Sequence, residues 1–320
     1  MRPATFITVV AGLVLALSLP AAAAAQAPAP GAMSLRLGGT HHVGHDDVVL
    51  RGDRVRVRGT VAPYVAGQSV VVRAYRGRKR VAAKTLAVRQ VAGSPNGGFV
   101  VSLRLPRGRL TVGAVHRATT AQAAVVAKRR RLSVVRSHAE FGTRGPVVQL
   151  LQRRLAVLHY AVARSGVFDA STARAVIAYR KVTGRARIAT APRSLLRALL
   201  AGRGAFHARH PGHGKHVEVD LSRQVLALLR GRRVDRIYGV SSGKPSTPTV
   251  LGSFRVYSQT PGFNAKGMLD SNYFHGGYAI HGYPDVPPYA ASHGCLRIPI
   301  PQARFVMHWL RFGDRVDVYR

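Results

Sequence analysis

Acidic residues and cysteine are both scarce in this chain. Its 320 residues include 12 Asp and Glu against 49 Lys and Arg, a formal net charge of +37. A field of that sign gathers polyanions, and nucleic acid is the usual partner of so basic a chain. Here the charge is spread along the whole sequence rather than gathered in one stripe, and the N-terminus reads as an export signal. The expected partners are therefore anionic cell-wall polymers and lipid headgroups, with no nucleic acid. The single cysteine, Cys295, excludes an intramolecular disulfide. An unpaired thiol in an oxidising compartment is a liability. Either it is a small apolar filler or it reacts, and its neighbours decide which. Long apolar runs are missing apart from Phe6 to Leu19, which is short for the ~20 residues a helix needs to cross a bilayer. Behind Arg2 and ahead of the small residues Ala22 to Ala25, it has the form of a secretory signal peptide over residues 1–25. No cysteine follows to carry a lipid. The mature chain is expected in the cell wall or extracytoplasmic space, without a stable membrane span.

Residues 26–34, rich in Ala, Pro and Gly, read as a linker. Over 35–136, apolar residues recur at about every second position in Val48 to Val61, Ser69 to Tyr75, Phe99 to Leu105 and Leu110 to Val115. Turns such as Ser94-Pro95-Asn96-Gly97 separate these runs, and the pattern predicts a small β-sandwich. His41, His42, His45, Asp46 and Asp47 near its start lack the ligand spacing of a metal site and read as a solvated loop. The period then becomes helical. Val147, Leu150, Leu151, Leu155 and Leu158 follow Pro146, a good first-turn residue. After a turn at Gly166 to Asp169, Ser171 and Thr172 are placed to cap a second helix, and a third follows Pro192. Residues 203–215, with His207, His210 and His213, read as a second linker because Gly and Pro oppose a helix there. From His216 the alternation returns in Val217 to Leu221, Val225 to Leu229, Val234 to Val240, Phe254 to Tyr257, Tyr278 to Ile280 and Arg315 to Tyr319. Neither Asn-Gly nor Asp-Gly occurs in this part. Ser222-Arg223 and Gly231-Arg232 sit where hairpin turns belong. The overall expectation is a multidomain chain with a β-sandwich, a small helical domain and a mostly β domain that holds Cys295.

The segment Ile280-His281-Gly282, a Pro-rich stretch, then Ala291-Ser292-His293-Gly294-Cys295-Leu296-Arg297 concentrates the chemistry. To attack an amide, a thiol needs a base or cation that favours the thiolate, since a free cysteine titrates near ~8.5. It also needs donors aimed at the developing oxyanion and exposure in a cleft. His281 and His293 answer the first need. Gly294 lets the backbone approach the substrate, so that its amide and that of Cys295 can converge on one oxygen. Pro284, Pro287 and Pro288 stiffen the loop expected to wall the cleft. A zinc site is the rival reading, since His281, His293 and Cys295 are all competent ligands; no fourth ligand is evident.

Ser292-His293-Gly294-Cys295-x-Arg297 behind a His-Gly pair resembles the signature of the L,D-transpeptidase family, YkuD type. Val219-Asp220-Leu221-Ser222-x-Gln224, Ser242-Gly243-Lys244, Thr247-Pro248-Thr249 and Gly252-Ser253-Phe254 resemble its upstream strands and loops. The likeness spans residues 216–320. Val250-Leu251, and the short gap from His281 to Ser292, depart from the usual pattern. Over residues 138–202, Gly145-Pro146-x-Val148, Leu151-Gln152-x-x-Leu155 and Gly166-x-Phe168-Asp169-x-x-Thr172 resemble the three-helix peptidoglycan-binding domain. There Arg180 stands where Gln is common, and Arg185-Ala186-Arg187 replaces a glycine-rich turn. The resemblance implies a cysteine acyltransferase needing no cofactor or metal. Cys295 would be the nucleophile and His281 the general base and acid, with His293 second choice. Gly294 and Ser292 would shape the oxyanion loop, Arg297 would hold a substrate carboxylate, and Tyr273 and Tyr289 would line the cleft. The implied partners are peptidoglycan stem peptides and glycan, and the implied reaction releases D-alanine and forms a crosslink. An L,D-carboxypeptidase using water, or a non-catalytic wall-binding protein, are the alternatives.

Overall fold

The computed structural model describes Met1 and residues 28–320; the expected signal peptide and the start of the first linker lie outside the described residues. Among the described residues, no helix is long and apolar enough to cross a membrane.

Two sheets form the N-terminal unit. One is antiparallel, in the order Ala32–Gly38, Arg54–Ala62, Gly97–Arg104, Arg89–Gln90. The other runs His41–Val43, Asp46–Leu50, Arg130–Val135, Gly108–His116, Ser69–Arg76, Lys79–Ala87, with Val125–Val126 on the side. Alternating valines drive the pairing: Val55, Val57 and Val101 of the first sheet and Val70, Val72 and Val112 of the second are buried in one shared cluster. β-Branched side chains favour such half-buried strands. Three expectations shift, and one strand comes unannounced. The end of the first linker is a strand, because Ala32–Gly38 pairs along Arg54–Ala62. The run from Val48 to Val61 splits at Gly52, whose φ of +87° turns the chain. The His41 to Asp47 segment pairs as strands rather than looping free. Lys79–Ala87 escaped notice because it lies on an edge with little burial on either face.

Three helices form the middle layer: α1 Pro146–Val157, α2 Ala170–Val182 and α3 Arg193–Leu200. The cap of α2 is Asp169, whose carboxylate accepts from Thr172 N–H at 2.9 Å, so Ser171 and Thr172 do not have that role. Ser171 Oγ instead accepts from Ala163 N–H. Gln152 is buried and ties Gly166 N–H and Val167 C=O, fixing the turn before α2. Arg180 is buried too, its guanidinium donating to Ala186 and Thr190 carbonyls.

In the C-terminal unit, a five-stranded sheet has the order Arg233–Gly239, Val225–Arg230, Lys215–Asp220, Arg315–Tyr319, Gly252–Arg255. A four-stranded sheet has the order Ser258–Phe263, Leu269–His275, Tyr278–Tyr283, Leu296–Pro299. Helix α4, Ile300–Trp309, starts behind Pro299 and packs on the second sheet. Strand Val225–Arg230 is apolar throughout its first five residues because it is covered on both sides. Val225, Ala227 and Leu229 join the helices in one core, while Leu226 and Leu228 join the C-terminal core. The first of these cores also takes in Val48, Leu50 and Val135 of the seven-stranded sheet.

The helical layer is bonded to the C-terminal unit as well as packed on it. Ile237 exchanges backbone hydrogen bonds with His159 and Ala161. Buried Lys181 donates to Gln224 and Val240 carbonyls at 3.0 and 2.9 Å. Burial, with Arg187 nearby, pulls its pKa down to about 7. Arg187, from the turn that departs from the glycine-rich pattern, donates to Pro288 and Ser222 carbonyls. The expected second linker is fastened rather than free. Arg209 and His210 N–H groups donate to the buried Glu218 carboxylate, and His213 Nδ1 lies 2.9 Å from Asp317.

Candidate active site

Strands Tyr278–Tyr283 and Leu296–Pro299 run parallel, with Ile280 opposite Leu296 and His281 opposite Arg297. In a strand, successive side chains take opposite faces. Ile280, Leu296 and Ile298 go into the core. His281 and Arg297 take the other face, joined by Cys295 one step before the paired stretch. There they line a cavity of about 570 Å³ with Ser292, His293, Tyr273, Tyr283 and Gly277, and with Asn264 to Met268 of the adjoining hairpin.

The thiol is half-buried. Its hydrogen bond goes to Gly277 C=O at 3.6 Å rather than to an imidazole. Burial pushes the Cys295 thiol up, against the smaller opposing influence of Ala279 N–H, Lys266 and Arg297. His281 is 2% exposed. Burial holds it below the ordinary imidazole range, with Gly282 C=O opposing and Arg297 adding to the effect. Its Nδ1 lies 3.0 Å from Gly282 C=O. A neutral ring so placed donates from Nδ1, which leaves Nε2 with its lone pair free. The edge of Tyr283 packs on the same ring, at 5.7 Å between centroids. The resting site is thus a neutral thiol facing a cavity shared with a neutral, oriented imidazole.

A dense brace fixes the nucleophile loop. Ser292 Oγ donates to Cys295 C=O at 2.6 Å and accepts from Gly294 N–H at 3.0 Å. Thr249 Oγ1 donates to Gly294 C=O, and Thr247 Oγ1 to Ser292 C=O. Ser241 and Arg297 exchange backbone bonds, while Ser242 C=O accepts from Ala291 and Ser292. Behind them Gln224 holds Ser242 through both its amide atoms. Gly294 has φ +116°, and a Cβ there would lie 2.6 Å from the Tyr278 ring. Only glycine fits that close approach.

Several expectations change. Gly294 N–H donates to Ser292 Oγ at 3.0 Å, so that amide is already engaged within the loop. Tyr289 lies outside the cavity lining, its side chain 61% exposed. The Pro-rich loop does not wall the cavity either; the hairpin at Asn264 to Met268 does. Tyr273 and His293 do line it, His293 as an exposed residue. Arg297 stacks on Tyr283 at 4.2 Å and approaches exposed Asp285 at 3.9 Å. An ion pair that long and that wet contributes little, so the guanidinium keeps donors for a ligand. Tyr283 was legible two residues beyond His281 on the same strand face. Lys266 and Asn264 carried no local signal, because hairpin pairing brings them to the cavity.

Residues 214–318 match the family profile of the L,D-transpeptidase catalytic domain, YkuD type. A crystal structure of an L,D-transpeptidase from Xylanimonas cellulosilytica is 34% identical, with a TM-score of 0.54. The match covers 57% of this chain and 97% of that one. An L,D-transpeptidase (Yku) from Stackebrandtia nassauensis is 21% identical over 57% of this chain and 95% of its own, with a TM-score of 0.36. No curated protein sequence matches the chain. The chain belongs to the L,D-transpeptidase family, and its YkuD-type catalytic domain occupies residues 214–318. The likeness to the Xylanimonas protein covers more of the chain than that domain does.

Proposed function

We propose that the protein is an exported cysteine acyltransferase that crosslinks peptidoglycan. The observation that carries this reading is Cys295 and His281 on the same face of two adjoining parallel strands, opening on a single cavity with Nε2 of His281 unengaged. His281 Nε2 takes the thiol proton as sulfur attacks the carbonyl of the third residue of a donor stem. The Cys295 N–H faces the oxyanion. The amide C–N bond breaks, D-alanine leaves with the proton from His281, and a thioester remains. An acceptor stem amine then attacks the thioester, His281 takes its proton, and the new amide forms as the thiol is restored. Arg297 holds a stem carboxylate, a contact guanidinium makes bidentately. Tyr273 and His293 border the bound peptide.

On the same reading residues 1–25 direct export, the β unit at 35–136 is a sandwich, and the helical unit at 138–202 binds glycan. The buried-polar brace supports a site built for reaction, since such networks hold one geometry only when satisfied.

The test is mass analysis of muropeptides made by purified protein from defined tetrapeptide stems. New crosslinks that vanish in Cys295→Ala are expected. Tripeptides without crosslinks would reassign the enzyme as an L,D-carboxypeptidase, and no Cys295-dependent product would leave a wall-binding protein.

A further inference from the structure

The outer face of the N-terminal four-stranded sheet carries a track of arginines that the reaction does not use. On Arg54–Ala62, the exposed Arg54, Arg56 and Arg58 alternate with the wholly buried Val55 and Val57. Register sets Arg36 opposite Arg58 on one side and Arg104 opposite Arg54 on the other, both exposed. The three strands contain no Asp or Glu. Like charges directly opposite across a ladder destabilise it, so this face holds five guanidinium groups at a stability cost that nothing within the strands offsets. The track leads into a surface groove of about 590 Å³ where the sheet meets α3. Arg54, Arg104, Arg193 and Arg197 line the groove. Asp53, its one acid, is already bonded to Arg193. Arg193 and Arg197 stand one turn apart, on the same side of α3.

We propose that this track and groove bind a linear phosphodiester polymer of the cell envelope. Guanidinium meets phosphate oxygens through paired N–H groups and stays charged at any physiological pH. Along a strand, side chains of one face repeat every ~6.6 Å, so three arginines in file meet successive charges of an extended chain. A diffuse positive field would need neither the file nor the cross-strand pairs. The choice of an envelope polymer rests on the exported location proposed above; the binding itself is independent of the chemistry at Cys295.

The test compares two triple variants of equal charge change in the full chain. Arg56→Glu, Arg104→Glu and Arg197→Glu remove the track; Arg78→Glu, Arg80→Glu and Lys84→Glu remove charge from the β-hairpin of the other sheet, where all three are exposed. Binding to poly(glycerol phosphate) is measured against salt concentration, beside oligo-dT as a phosphodiester that carries bases. The track variant is expected to bind the glycerol polymer at least about tenfold more weakly at ~0.15 M salt and to show a shallower salt slope. The hairpin variant should stay within about threefold of the parent. Equal loss in both, or loss in neither, overturns the proposal in favour of a diffuse field. Tighter binding of oligo-dT than of the glycerol polymer overturns the assignment of partner. If the track variant misfolds by circular dichroism, the Arg→Gln triple at the same positions gives the same reading. Unchanged alkylation of Cys295 in these variants separates failure here from failure of the catalytic assignment.

Discussion

Residues 32–136 hold 21 Lys and Arg and three acids, and none of the three acids is buried. Residues 216–320 hold 13 Lys and Arg and seven acids, and four of those acids, Glu218, Asp220, Asp270 and Asp317, are buried. The N-terminal unit therefore has a mostly apolar, valine-rich interior that buries no acid, with its charge on the surface. The C-terminal unit builds hydrogen-bonded polar groups into its interior, some of them directly behind the loop that carries Cys295. Buried polar groups are tolerated when every one finds a partner. Glu218 shows the pattern, accepting from Arg209 and Arg209's neighbour His210, from His216 and from Tyr319. The two β units thus differ in emphasis: buried carboxylates are confined to the C-terminal one, while the N-terminal interior is mostly valine packing with a few neutral polar groups, Gln68, Gln122, His116 and Ser133, among it.

The contrast is broken most sharply at His281. His281→Ala should lower kcat/KM by about 10²–10⁴, the usual range for a lost general base, with the melting temperature little changed. The parent's pH profile adds a sign. Since burial depresses His281, the base stays neutral down past the ordinary value, so the acid limb of kcat/KM should fall below pH ~6.5. The raised thiol puts rapid alkylation of free Cys295 on the alkaline side. An acid limb above pH ~7, or a thiol alkylated fully at neutral pH, would show instead a preformed thiolate–imidazolium pair.

Two glycines sharpen the comparison. Gly294→Ala forces a Cβ to 2.6 Å from Tyr278 at a positive φ, and should cut activity strongly with a stability loss of about 1–3 kcal/mol. Gly59→Ala forces a Cβ to 2.2 Å from the Phe99 ring in the N-terminal core. It should lower the melting temperature comparably while leaving kcat/KM per folded molecule unchanged. Equal activity losses in both would mean that the two units do not divide packing from positioning.

Acid offers the gentlest test. Hydrogen bonds from His216, Arg209, His210 and Tyr319 overcome the opposing effect of burial and hold the Glu218 carboxyl at about 2. An unfolded Glu titrates near ~4.3. A depressed acid stabilises the fold fully above its unfolded value and loses that contribution as pH falls toward the folded one. Trp309, the chain's one tryptophan, lies in the C-terminal unit, its indole donating to Asp235. Its fluorescence should change between pH ~4.3 and ~2 before the circular dichroism of the N-terminal sheets does. Glu218→Gln should lower stability at neutral pH and flatten that dependence.

Much of this was legible in the sequence where pattern and chemistry are local. Two helices begin at or just after the expected start residues, Pro146 and Pro192, and the third begins one residue ahead of its expected cap, because an apolar 3.6-residue period behind a start signal needs little tertiary help. The strands at Ser69, Gly97 and Gly108 showed themselves by alternation. Those that hid had other reasons. Ala32–Gly38 is set by its partner, Lys79–Ala87 is exposed on an edge, and Ser258–Phe263 contains Pro261 and Gly262. At the site, Cys295, His281 and Arg297 stood out as motif residues, and strand alternation explains why they share a face. What sequence could not reveal was competition for a single donor. Ser292, two residues before Gly294, captures its N–H, and no spacing rule shows which of two acceptors will win. The hairpin wall at Lys266 was equally hidden, since its place depends on pairing between Ser258–Phe263 and Leu269–His275.

One core runs without interruption from Val48 and Leu50, through the three helices, into Val225, Ala227 and Leu229. It ties the unit that carries the arginine face to the unit that carries the thiol by continuous apolar packing. A molecule moored by the first would hold the second at a set height and heading above the mooring line. Its reach would then be decided by the slack of the polymer it grips, and stems would have to come to it.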